Sequence, residues 1–289
     1  MPSIYSIPLE GVDFGDVHRS QVHAVLSRFL GHGTSTWSLV HIPEHVAGSA
    51  ELRVGVLTNS TRAALLHNLT QGTELTFGPS HGDQIATISA NPVRVRSASW
   101  TDLATPYPSG VYADSWQVTF HSPAAISLGN RNFPLLSGDA LILSLLKKWQ
   151  GLERVRDEEM REVARNGHSL PSLETCALFD LARRHWDRAA RMNLRIVDLR
   201  GHTEVEYISR HTATVPVPHY LPSTIRTEEK VVREVIPGFV GVIRLMAFDP
   251  DLAALTDCLL RFGEFTGVGA ATSYGFGSMT SIPCLSSHG

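Results

Sequence analysis

The C-terminal stretch Phe262-Gly-Glu-Phe-Thr-Gly-Val-Gly-Ala-Ala-Thr-Ser-Tyr-Gly-Phe-Gly-Ser-Met279 carries five glycines between Gly263 and Gly277, a density foreign to the interior of a helix or strand. Glycine takes positive φ without steric cost and lets backbone come close to a ligand. Successive amide N–H groups in such a loop can form a concavity for an anion, and phosphate is the natural guest. Gly267, Gly269, Thr272, Ser273, Tyr274, Gly275 and Gly277 are the residues expected to form that grip. A loop that merely turns the chain is the competing reading. A dinucleotide fingerprint fits less well, because Gly267 and Gly269 lack a third glycine at the right offset. The flanks also run the wrong way for it. Asp249 and Pro250 open a helix through Phe262, and a strand follows from Gly277 to Ile282, whereas the dinucleotide motif runs from strand to helix.

Outward from this loop, strands fit Leu194 to Leu199, Glu204 to Tyr207 and Val240 to Met246, with Arg195, Arg200, Arg226, Arg233 and Arg244 on or beside them. Asp139 to Gln150 is an amphipathic helix ending in Lys147, Lys148 and Trp149, and Ser115 to Phe120 alternates as a strand. Between them and the later strands lies a charged, helical region to about Met192, broken at Gly167 and Pro171. The first part of the chain opens with an alternating strand from Ile4 to Leu9. Asp13 and Asp16 then offer caps for a helix whose apolar positions are Val22, Val25, Leu26, Phe29 and Leu30, ended by Gly31 and Gly33. A strand over Leu52 to Leu57, a helix over Thr61 to Leu69 and β-rich sequence from Glu74 to Val95 come next. This β-α-β-α-β order needs one more strand to make a ferredoxin-like domain, and the second half repeats the logic with insertions. Pro106, Pro108 and Gly110 place a boundary between domains 1–108 and 109–289. The expectation is an α+β protein of two tandem ferredoxin-like (βαββαβ) domains.

The ending from Phe262 to Met279 resembles the C-terminal signature of the CRISPR-associated endoribonucleases that process precursor CRISPR RNA, the sixth Cas family within the RAMP superfamily. Val118-Thr-Phe-His-Ser-Pro123 is similar to the strand and Ser/Thr-Pro element that opens the family's second domain. Phe133-Pro-Leu with Leu141 to Trp149 is similar to its next loop and helix. Between about Arg154 and Thr212 no resemblance is visible. The likeness implies two tandem ferredoxin-like folds, CRISPR repeat RNA as partner, and one cut per repeat without metal or cofactor. The neighbouring 2′-hydroxyl attacks the scissile phosphate, leaving a 2′,3′-cyclic phosphate and a 5′-hydroxyl, which is general acid–base chemistry. It makes the glycine-rich loop an RNA grip, with Arg195, Arg233 and Arg244 as further backbone contacts. Other Cas effector subunits are a further partner class, a homodimer is open, and no membrane is involved.

Histidine is the side chain that moves protons near neutral pH unaided. In the family the working histidine lies in the loop after the first helix, and Trp37-Ser-Leu-Val-His41-Ile-Pro falls at the matching place. His41 is therefore the catalytic candidate and His45 its reserve; a polar residue at the edge of a half-buried strand is the plainer reading of His41. Some members add a lysine a few residues on and a tyrosine in the first helix. Here no lysine precedes Lys147, and the helix position corresponds to Ser27. Arg19, Arg28 and Arg53 are near enough in sequence to stabilise a developing phosphorane. His121 has no role legible in the sequence.

Bulk composition excludes some alternatives and leaves others. With 289 residues, 43% apolar and 18% charged, and no run of about 18 apolar residues, the chain reads as a water-soluble globular protein. Met1 to Glu10 lacks the basic start of an export signal, and Cys176, Cys258 and Cys284 are too scattered for a disulfide framework, so a reducing, cytoplasmic setting is expected. A net charge of −3 counts against a nucleic-acid partner. Against that, the lysines are only Lys147, Lys148 and Lys230, so nearly every cation is an arginine, whose fork suits phosphate. A non-cleaving RNA scaffold subunit is a second reading, favoured by the missing lysine and tyrosine. A third is a zinc hydrolase built on His41, Glu44 and His45 in an H-x-x-E-H pattern, which Pro43 opposes because that pattern needs a helix.

Overall fold

The computed structural model describes residues 1–31, 36–43, 49–78, 84–104, 111–128, 131–134, 137–165, 194–216, 227–248 and 250–287. Strand β1 (Ser3–Glu10) is buried along nearly its whole length, because a different layer covers each of its faces. Tyr5, Ile7 and Leu9 point into a core shared with α1 (Arg19–Leu30) and α2 (Asn59–Asn68), whereas Ile4 on the opposite face joins the core of the second half. α1 is capped by His18, not by Asp13 or Asp16. The His18 ring accepts from the Ser20 amide while Gln21 accepts from the His18 amide at 2.8 Å. Asp13 instead caps a single 3-10 turn, Phe14–Asp16.

β1 pairs antiparallel with β3 (Ser49–Val56) on one side. On the other it pairs with β5 (Gln84–Ile88) at its end and β6 (Val93–Ser97) at its start. β4 (Glu74–Phe77) extends the sheet beyond β5. The outer strand beside β3 is β2 (Trp37–His41), the strand missing from the order read in the sequence. Trp37 and Leu39 are buried in the helix-side core, and a register shift between Leu39 and His41 interrupts the alternation after only three residues. His41 therefore stands at a strand end and not within a loop.

After α3 (Trp100–Ala104), the second half comprises β7 (Val111–Leu128), β8 (Arg131–Pro134), α4 (Gly138–Arg165), β9 (Leu194–Pro216), β10 (Thr227–Ala247), α5 (Pro250–Thr266) and β11 (Met279–Ser287). Its sheet runs β11-β7-β10-β9. β1 thus lies between β3 and the last strand of its half, β6, and β7 between β10 and the last strand of its half, β11, and the fold is two tandem ferredoxin-like units of α+β class. Trp116, Val118, Phe120, Ile243 and Leu245 meet Leu145, Trp149, Leu259 and Phe262 of the covering helices. The pieces expected at Leu194–Leu199 and Glu204–Tyr207 belong to one strand, β9. Gly201, in the gap between those two pieces, is needed for closeness, since a methyl there would lie 2.7 Å from the Phe239 ring. α5 likewise runs past Phe262 to Thr266, with Gly263 pressed between Met279 and Leu145. Pro106, Pro108 and Gly110, and most of the charged stretch to Met192, lie outside the described residues. No described helix is long and apolar enough to cross a membrane.

The two sheets meet at the end of α5. Ser38 on β2 donates its hydroxyl to the Phe265 carbonyl at 2.8 Å, with both groups buried, and Gly55 on β3 lies directly beneath the same carbonyl. A methyl on Gly55 would run into that oxygen, and neither backbone segment can yield without parting the halves. Gly55→Ala is expected to lower unfolding stability by about 1–3 kcal/mol, the usual cost of overpacking, measured by denaturant titration; a change of less than a few tenths would contradict this packing.

Candidate functional site

His41, exposed at the end of β2, pairs in register with Arg53 of β3, and Arg96 on β6 lies opposite Ile4 of β1. These three stand on the sheet face turned away from α1 and α2. A cavity of about 610 Å³ opens there, within the roughly 300–1,000 Å³ typical of ligand sites. Arg19, His41, Arg53 and Arg96 line it from the first half, and His121, Ser122, Glu264, Gly275, Ser278 and Thr280 from the second.

Each arginine of the cavity has a carboxylate partner. Arg19 Nε donates to both oxygens of Glu206 on β9, at 3.1 and 2.8 Å. Arg53 Nε donates to Glu51 at 2.6 Å, and that bond holds the Glu51 carboxyl below its ordinary range. Arg96 pairs with Glu264, which is only 5% exposed and whose other oxygen accepts from the Ser281 amide and hydroxyl at 2.7 and 2.8 Å. A buried carboxylate needs such partners to remain ionised.

The glycine-rich segment is folded inward. Gly267, Gly269, Gly275 and Gly277 all have positive φ, as the sequence suggests, but their amides are taken by acceptors of the protein itself. Gly267 donates to Gly263, Val268 to Gly277, Ala270 to Ala125, Gly275 to Thr272 and Gly277 to Pro123, at 2.7 to 3.0 Å. The Gly269 amide donates to Ser144 Oγ at 3.0 Å. The expected concavity of free amides is therefore corrected: these glycines serve close packing, and at Gly277 a methyl would strike the Val268 carbonyl. The segment reaches the cavity through Gly275 and Ser278. Thr272 and Ser273 are buried and Phe276 is fully so, which makes Phe276 a core residue.

Helix α1 holds this segment by one face, at positions four apart. Arg19 Nη1 donates to the Gly275 carbonyl at 3.2 Å. His23 lies 3.1 Å from the Ser273 carbonyl through Nδ1 and 3.3 Å from Ser27 Oγ through Nε2, and stacks on Tyr274 with ring centres 3.8 Å apart. On the opposite side Lys148 of α4 donates to the carbonyls of Thr266 and Gly267 and to Thr272 Oγ1, at 3.3, 3.0 and 2.9 Å. Burial lowers its ammonium from the ordinary 10.5 to about 7.

The structure thus brings together His41, Arg19, Arg53 and Gly275. Arg28 is exposed and does not line the cavity. Arg195 and Arg244 also stay outside it: Arg195 lies over the Phe248 ring at 5.8 Å, and Arg244 is exposed on β10 opposite Asp198. Arg233 is on β10, beyond the residues whose side chains are described, and Arg226, Glu44 and His45 lie outside the described residues. Because His41 sits in a strand, the helix that an H-x-x-E-H zinc site requires does not begin there. Among the described residues no group of three or more His, Cys, Asp or Glu could hold a metal ion. Sequence reasoning missed Arg96, His121, Glu264, His23 and Lys148. Lys148 alone left a signal, as a lysine inside the apolar run from Leu141 to Trp149.

Comparison with known proteins gives consistent results. The family model of CRISPR-associated endoribonuclease Cas6 matches residues 118–279, more than half of the chain. Among solved structures, a Cas6 mutant carrying a histidine-to-alanine change is similar with a TM-score of 0.61 and 18% identity, over 97% of this chain and 98% of that one. A Cas6 product complex has a TM-score of 0.61 and 18% identity, over 98% and 100%. Thermus thermophilus Cas6 has a TM-score of 0.55 and 17% identity, over 98% of both chains. No curated protein sequence matches.

Lys148 yields a measurable consequence. Its folded value lies below that of the unfolded chain, so between about pH 7 and 10 the unfolded state binds the extra proton and stability from this group rises with pH. Relative to Lys148→Met, the wild-type protein is expected to gain melting temperature between pH 7 and pH 9.5, on the order of degrees; a difference that is flat or falls with pH would contradict a desolvated ammonium at this position.

Proposed function

This chain belongs to the CRISPR-associated endoribonuclease Cas6 family and is an RNA endonuclease of CRISPR RNA processing, and from that premise we propose that it cuts repeat RNA once per repeat, without a metal ion, using His41. The observation that carries the reading is that His41 and the glycine-rich segment, at Gly275 and Ser278, border one cavity. A ribose and its 3′-phosphate seated there would have an imidazole beside the 2′-hydroxyl. His41 takes the proton of that hydroxyl, the oxygen attacks phosphorus, and a 2′,3′-cyclic phosphate forms as the 5′-oxygen departs. Arg53 and Arg19, which line the same cavity, are placed to meet the negative charge that builds on the phosphorane, the part some members give to a lysine. The captured product complex and histidine-to-alanine mutant of similar Cas6 chains support a site of this kind.

The RNA contacts divide by position. Gly275 borders the reacting nucleotide, whereas Gly267, Gly269, Thr272, Ser273, Tyr274 and Gly277 act by holding the segment in place. Arg195 and Arg244, exposed on the second sheet, contact backbone farther from the cut, with Arg233 on the same strand as Arg244. Repeat RNA is the partner this reading requires.

Incubation of the protein with 5′-labelled repeat RNA in EDTA tests it. One cut per repeat, with a 2′,3′-cyclic phosphate end, is expected, and His41→Ala should slow it about 10²–10⁴-fold while binding stays within a few-fold. Products with a free 3′-hydroxyl, or a cut that requires divalent metal, would overturn the mechanism. Tight binding without any cut would favour the scaffold reading.

A further inference from the structure

Cleavage by an internal 2′-hydroxyl requires two proton transfers. One proton leaves the attacking hydroxyl, and another must reach the departing 5′-oxygen, which is otherwise expelled as a strongly basic alkoxide. Resting on the cleavage reading above, we propose that His121 is the second proton-transfer group, the acid that protonates the 5′-oxygen opposite His41.

The cavity's own lining leaves little choice. Of the side chains that border it, arginine keeps its proton throughout the working range and serine and threonine hydroxyls are far too weakly acidic. Glu264 is committed elsewhere: one oxygen is paired with Arg96 and the other accepts twice from Ser281. Among the described residues that line it, His41 and His121 are what remain, and imidazole exchanges protons near neutrality.

The backbone fixes these two histidines relative to each other through one residue. The His121 amide donates to the Ser278 carbonyl at 2.9 Å, and Ser278 Oγ donates to the carbonyl of Val40, the residue before His41. The Ser278 amide in turn donates to Ser122 Oγ at 2.9 Å. His121 and His41 are thus carried by different halves of the protein and pinned to the same serine. The His121 ring is exposed on β7 and lies 2.9 Å from Thr280 Oγ1 through Nε2. With the imidazolium's Nε2–H directed to that hydroxyl, Nδ1–H is the proton delivered. In the step, the O2′–P bond forms as the P–O5′ bond breaks. His41 gains the 2′-proton, and His121 passes its proton to O5′ and becomes neutral.

A substrate whose leaving oxygen is replaced by sulfur separates this role from others, because a thiolate leaves without protonation. His121→Gln keeps a group able to bond Thr280. It is expected to cut ordinary repeat RNA about 10²-fold more slowly than the wild-type protein and the 5′-bridging phosphorothiolate RNA within about threefold of it, while His41→Ala stays slow on both. Wild-type speed of His121→Gln on ordinary RNA, or equal slowing on both linkages, overturns the assignment and leaves the proposed function standing. A wild-type protein that cuts neither RNA overturns both.

Discussion

The carbonyl of Phe265, which accepts the Ser38 hydroxyl above the bare Cα of Gly55, is the contact on which the rest of the molecule depends. It locks the end of α5 against the first sheet, and α5 is itself a covering helix of the second. The segment after α5, which turns at Gly267 and returns through Ser278 into β11, is therefore delivered to the seam between the halves. An unsatisfied buried carbonyl costs more than its hydrogen bond contributes, so the halves have little freedom to slide once this pairing is made.

From that seam the site is assembled by short polar links. Arg19 and His23 reach the segment from α1, Lys148 from α4, and Ser278 joins β2 to β7. The carbonyls facing outward from the tight segment, at Ser273 and Gly275, are those the α1 side chains address, while its amides turn inward to Ala125, Pro123 and the segment itself. A bend this tight forces positive φ at several positions, which is why the sequence is so rich in glycine there. The identity of those residues reports a packing requirement first, and any contribution to RNA recognition comes through the shape they hold.

The architecture was largely legible and the site only partly. Strong periodicity marked β1, α1 and α4, and the order of elements pointed to ferredoxin-like halves. β2 escaped because its alternation spans three residues before the register shifts, too few to separate a strand from a loop. The strand around Gly201 was split and the helix stopped short of Gly263 because closeness to Phe239 and Met279 is a tertiary demand that no local pattern records. His41 could be singled out from its place after the first helix. Arg96, His121 and Glu264 could not, since they are distant in sequence and meet only when the second half closes over the face of the first. The net charge of −3 pointed away from a polyanion, because a sum over the chain does not record that Arg19, Arg53 and Arg96, each paired with a carboxylate, gather around one cavity.

That pairing has a bearing on selectivity. Because Arg19, Arg53 and Arg96 each already rest on a carboxylate, the free cavity is electrically close to balanced, and bulk attraction offers a passing polyanion little. Each guanidinium keeps N–H donors beyond those its carboxylate takes, and a phosphate is held best where its oxygens land in the geometry of a bidentate contact. On the proposed reading, a ribose-phosphate would meet arginines already held in place by Glu206, Glu51 and Glu264, so that geometry more than net charge would decide what the cavity holds.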